Sequence, residues 1–435
     1  LRFRLHLLMG PTLLQNDQAL AAFPQPIALT YVVNTVDTSK PSVQLLDAAT
    51  SGNLEFAEEA LYALADPDGV DSDGRTALFI AANVGQVELA SLLCEADADV
   101  NKCRQQSGAT PLYMAAHGGH HEVVKLLLER RADTELKRKD GATPLFIAAQ
   151  YGLMDIANSL YRAGANVNAA GMGGHTALYI AAQSGQAEMV DFLCNNGAVC
   201  TAVGNDTFSP LHIAAQLGHI NVAQRLHAAK ANLEQKTRDG RTALFAGAMS
   251  GNSQVVKTLL SARARANNTT SAGASPLLIA SQHGHDEVVD LLCSSGADCD
   301  LAVPGPRATP ALVAAQAGHA GVVRILCQAK ADINRMALHG HTPVYVASEM
   351  GHTEVVDVLL QASADCNTKR WFVGGDQDDG LLPADIAEMQ GHLDILRMLE
   401  RVKNDDKPRS PENDDKARSP PAPAGSSGSS GRTSC

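Results

Sequence analysis

Aromatic side chains make up only 4% of the 435 residues, with a single tryptophan. Large aromatic-filled cores are therefore excluded, although a chain of this length would ordinarily divide into two or three domains. Basic charge is also in short supply. Thirty-five Lys and Arg stand against 47 Asp and Glu, a net charge of −12, which argues against nucleic-acid binding through neutralised phosphates. No apolar run reaches the ~18 residues of a membrane-spanning helix, so no membrane insertion is expected. None of the nine cysteines forms a CxxC pair, which removes the simplest zinc and redox motifs. The expectation is a reduced, cytoplasmic, monomeric protein with no metal and no cofactor.

What the chain has is a cadence. Aligned on the Thr or Ser that precedes "PL" or "AL", it gives Thr76, Thr110, Thr143, Thr176, Ser209, Thr242, Ser275, Thr309 and Thr342, separated by 34, 33, 33, 33, 33, 33, 34 and 33 residues. A period of this length denotes stacked units that bury their apolar faces against one another. The motif "SPLHIAA" at 209–215, varied as "TPLYMAA", "TPLFIAA" and "TALYIAA", resembles the ankyrin-repeat family. The resemblance implies an all-α solenoid of helix-turn-helix units joined by β-hairpin loops. Weaker units flank the nine, "QLLDAATSGNLEFAEEAL" before them and "LLPADIAEMQGHLDILRMLE" after them. They read as caps of an array spanning 43–402, about eleven units in all.

Local chemistry supports each unit independently. Thr143 suits a helix N-cap and Pro144 the first helical position, where a missing N–H costs nothing. Gly152 then suits a left-handed stop. A second helix follows, as in "EVVKLLL" at 122–128, and Asp140-Gly141 and Asp239-Gly240 signal hairpin turns.

The stretch "HGGHHEVV" at 117–124 suggests a metal or acid–base site until its period is noticed. His120 lies ten residues after Thr110, and the same offset holds His219, His285, His319 and His352, with Gln86 and Gln186 as substitutes. A catalytic group has no reason to recur once per unit, whereas a corner residue that satisfies backbone groups does. Cysteine follows the same logic. Cys94, Cys194, Cys293 and Cys327 occupy offset 18, shared with leucine in other units, and Cys200, Cys299 and Cys366 occupy offset 24. They read as packing residues, which leaves Cys103 and Cys435 as the more reactive thiols. No catalytic residue is expected.

The family resemblance implies binding through hairpin tips and the outward positions of each first helix, at offsets −1, +7 and +8. The partner-binding candidates there are Arg75, His117, Gln150, Tyr151, His175 and Gln183, followed by Phe208, Gln216, Arg241, Gln282 and Gln316. Lys137, Arg138 and Lys139, close in sequence to Lys125, Arg130 and Arg131, form a basic stretch that would attract an acidic protein. Trp371 and Phe372, in a seven-residue extension before the last cap, are candidate aromatic anchors.

The ends do not repeat. Residues 1–42 loosely resemble the latter half of a ubiquitin-like domain. Residues 403–435 duplicate "NDDK-RSP" and run into Pro, Ser and Gly, a composition that forms no core; Ser410 and Ser419 there are candidate phosphorylation sites. The expected function is a non-enzymatic scaffold or adaptor that binds protein partners. The alternative is a regulatory portion of a larger enzyme or channel.

Overall fold

The structure, a computed structural model, describes residues 39–369 and 380–405. Eleven successive helix pairs fill these residues, from Ser39–Ser51 with Leu54–Tyr62 to Pro383–Met389 with Leu393–Asp405. The expected repeat is present unit by unit. Pro144–Tyr151 and Met154–Arg162 are typical: an inner helix of eight residues and an outer helix of nine. The N-cap chemistry is as read from the sequence. Thr143 accepts the amide of Phe146 at 3.1 Å, and Thr110 and Thr309 do the same for Tyr113 and Leu312. Gly152 closes the helix at φ +68°, a left-handed conformation that costs glycine little.

Inner helices are almost wholly buried. Ala148, Ala149, Ala181, Ala182, Ala214 and Ala215 have no exposed surface, and their small side chains let neighbouring inner helices approach more closely than outer helices do. Leucines at the inward face of the outer helices, such as Leu127, Leu160 and Leu193, complete the core. One continuous apolar cluster runs from Leu45 to Leu399.

The β-hairpin expectation needs correction. Among the described residues no extended strand forms, and an isolated bridge pairs Val70 with Thr76. The loops are tight turns instead: Arg138 N–H donates to Ala142 O at 2.9 Å and Gly141 N–H to Arg138 O at 2.8 Å. Arms of two residues are too short for a ladder. Successive tips are joined by single bonds, Lys139 N–H to Ser107 O and Ser271 N–H to Asp239 O. The first helix also begins earlier than expected, at Ser39. The ubiquitin-like reading, Trp371, Phe372, Cys435, Ser410 and Ser419 all lie outside the described residues.

Candidate protein-binding groove

Two hydrogen-bond systems fix the positions of the groove residues. The first is the corner residue. His120 Nε2 lies 3.0 Å from Asn83 O, His219 Nε2 3.0 Å from Gln183 O, His319 Nε2 3.2 Å from Gln282 O, and His352 Nε2 3.1 Å from Gln316 O. Asn252 takes the same place, its Nδ2 donating to Gln216 O at 2.8 Å. In each case the carbonyl belongs to the offset +7 residue of the preceding unit. The corner side chain therefore satisfies an end-of-helix acceptor and holds the backbone of a residue whose own side chain faces outward.

The second system lies in the loop after the outer helix. Asp68, Asn101, Glu135, Asn168, Glu234, Asn267, Asp300 and Asn334, all at offset 25, accept the amides of Asp99, Asp133, Asn166, Val199, Arg265, Asp298, Asp332 and Asp365 in the next unit. Thr201 breaks the run. This ladder escaped the sequence reading, although a column of Asp, Asn and Glu at one offset could have revealed it.

Between the first units lies a pocket of about 430 Å³. Arg75, Arg104 and Arg138 line it together with Phe79, Ile80, Asn83, Val84, Tyr113, Met114 and His117, and no carboxylate does. Arg138 stands over the Tyr113 ring with its guanidinium carbon 6.0 Å from the centroid, a cation–π arrangement. His117 stacks on Tyr113 and meets Tyr151 edge-on at 5.6 Å. Carboxylates behind the wall hold two of the guanidinium groups: Arg75 Nε lies 2.7 Å from Asp71, and Arg138 Nε 3.5 Å from Asp140. Burial would raise the Asp71 carboxyl, but the amides of Arg75 and Asp73 and the Arg75 guanidinium outweigh it and lower the pKa. Arg104 Nε is bonded to Asp73 O and Gln106.

Three of the expected residues, Arg75, His117 and Arg138, thus come together, and Tyr151 adjoins them. The basic stretch does not act as one patch. Arg138 turns into the pocket, Lys137 Nζ reaches Ala170 O at 2.9 Å, and Lys139 remains exposed at the tip. Lys125 sits on the outer helix against Glu122 at 2.9 Å, and Arg130 lies 4.0 Å from Glu95. Residues adjacent in sequence diverge because a tight turn and a helix point successive side chains in different directions.

Farther along, Gln183, Gln282 and Gln316 are exposed, while Gln150 and Gln216 are half-buried. Arg241 is tied to Asp239 at 2.6 Å and stands over Phe245. Phe208 meets His212 edge-on. His175 is not a free surface group: it stacks on Tyr179 at 3.7 Å, faces Asp206 at 3.5 Å and is roofed by Gly204, where a Cβ would come within 2.3 Å of the ring. Burial, with Asp206 beside it, pushes the Tyr179 hydroxyl up to about 12. At offset +8, Val84, Leu217 and Met350 are about half exposed like Tyr151, with Gly118, Ser184, Ser250 and His283 between them.

Among the described residues no group of three or more His, Cys, Asp or Glu side chains is placed to hold a metal ion. No helix among them is long and apolar enough to cross a membrane. A comparison with curated proteins returned no match. Models of the family described as "Ankyrin repeats (3 copies)" match residues 45–138, 96–170, 119–204, 145–237, 211–303 and 304–370. These spans overlap or abut from 45 to 370, and the pair beyond them, Pro383–Met389 with Leu393–Asp405, continues the same stack. With the thirty-three-residue period, the capped helix pairs and these matches in agreement, the chain belongs to the ankyrin-repeat family, whose members are generally protein-interaction modules.

Proposed function

We propose that the chain is a binding scaffold whose groove over the first units takes an extended segment of a partner protein, with an apolar side chain flanked by carboxylates. The supporting observation is the pocket wall: three arginines, no carboxylate and an aromatic and aliphatic floor, in a chain of net charge −12. Apolar burial supplies affinity, while guanidinium groups pair with carboxylates through directed hydrogen bonds. Because neighbouring acids, the Tyr113 ring and the His120 clamp already fix this wall, little ordering cost accompanies binding.

Selection of a random peptide library displayed on phage tests the reading. Enriched peptides should combine Asp or Glu with a large apolar residue, and Arg75→Gln with Arg138→Gln should weaken them by about 10–100-fold, in keeping with loss of charge-assisted bonds. Enrichment of peptides without acidic residues, or equal capture by the double variant, would sink it.

A further inference from the structure

Two units carry the same frame, "CNNGAVC" at 194–200 and "CSSGADC" at 293–299. In both, the first cysteine sits in the last turn of the outer helix, at Ala187–Asn195 and Asp286–Ser294, and a glycine at positive φ, Gly197 or Gly296, reverses the chain. The reversal brings the second cysteine back against the first. Sγ of Cys194 lies 3.5 Å from that of Cys200, and Sγ of Cys299 3.5 Å from that of Cys293. All four are reduced and partly exposed. The period explains why each position is apolar in most other units, but it says nothing of why both are cysteine in the same unit.

We propose that each CxxGAxC frame is a modification site: a thiol pair that a hydroperoxide converts to an intra-unit disulfide. One thiolate attacks the peroxide oxygen, giving a sulfenic acid and, from hydrogen peroxide, hydroxide that takes a proton to become water. The neighbouring thiol then attacks that sulfur, forming the S–S bond and releasing a second water. Two thiols lose two electrons and two protons, and the peroxide is reduced to two waters. To bond, the sulfurs close from 3.5 Å to the ~2.05 Å of a disulfide.

In the first pair the hydrogen bond between the two thiols holds Cys200 down, to about 7, and drives Cys194 up. Cys200 is therefore the attacking sulfur, since the thiolate is the nucleophile. In the second pair burial raises both, Cys293 to about 12, so the first pair reacts sooner. Cys200 also lies 4.0 Å from Ala229 O of the next unit, which places the bridge at a joint of the stack.

The molecule carries its own control. Cys327 occupies the same helix position, partly exposed, but buried Ile333 replaces the second thiol. Trypsin cleavage after Arg162, Arg225, Arg265 and Arg307 puts each pair alone in one peptide, 163–225 or 266–307. The full chain is treated with dilute hydrogen peroxide, alkylated with N-ethylmaleimide, digested and weighed. Both pairs should escape alkylation about tenfold faster than Cys327 and regain it after dithiothreitol, because a sulfenic acid with a resolving thiol at hand closes quickly. Cys194→Ser should leave Cys200 trappable by dimedone, and Ile333→Cys should create a third pair with Cys327. The proposal is overturned if Cys327 is lost as fast as the pairs, if both thiols of each peptide remain alkylable, or if bridging occurs only between molecules.

Discussion

His212, which has 1% of its surface exposed, joins two units through both ring nitrogens. Its Nδ1 accepts from Ser209, 3.3 Å from the amide and 2.7 Å from the hydroxyl, so Nε2 carries the proton that reaches Arg241 O at 3.1 Å in the next unit. Burial lowers the His212 pKa, with the neighbouring backbone carbonyls opposing it only in part. A base held below its ordinary ~6.5 favours the folded state in its neutral form. That contribution is complete above the unfolded pKa and is lost as the pH falls toward the folded one. Melting temperature should therefore decline between pH 7.5 and 5.5, and His212→Gln should flatten the decline while costing about 1–3 kcal/mol at pH 7.5, since it leaves buried partners unpaired. A variant whose melting temperature keeps the full wild-type pH slope would contradict this.

At the scale of the element, turns and caps distinguish backbone demands from packing demands. Gly296 and Gly273 both have positive φ, +85° and +84°, but a Cβ at Gly296 meets open space whereas one at Gly273 would come within 2.2 Å of Pro304 in the next tip. Gly296→Ala should cost about 1 kcal/mol for the left-handed backbone alone. Gly273→Ala should cost a further ~1–3 kcal/mol for the collision between tips. Urea midpoints measure the difference, and equal losses would mean that the tips do not bear on one another.

The sequence disclosed the helix starts because Thr–Pro pairs mark them locally, and it disclosed the corner role of His120 because the position repeats. It did not disclose the acceptor of that histidine, a carbonyl 37 residues earlier, nor the offset-25 ladder. Each of those is a relation between two units, whereas a period is a property of a single column. The pocket was half visible for the same reason. Arg75 and His117 lie at the expected offsets, but Arg104 enters from a tip residue outside those columns. The cysteines show a different limit, because identifying each column as a packing position concealed that two columns touch.

Across the whole molecule, stability is a sum of unit and interface terms, since each pair contacts chiefly the pairs beside it. Leu145, 2% exposed in the fourth pair, should cost about 2–5 kcal/mol on replacement by alanine. Hydrogen exchange should show lost amide protection in its own unit and its two neighbours, fading toward the ends. Uniform loss along the stack would instead indicate a single cooperative block.

The offset-25 bonds all run one way: the earlier unit supplies the side-chain oxygen and the later one the amide. A module excised at matching offsets leaves behind a head and a tail that still fit each other. Duplication or deletion of a thirty-three-residue cassette therefore changes the reach of the protein without rewriting the joint, so the same grammar serves longer and shorter versions of the chain.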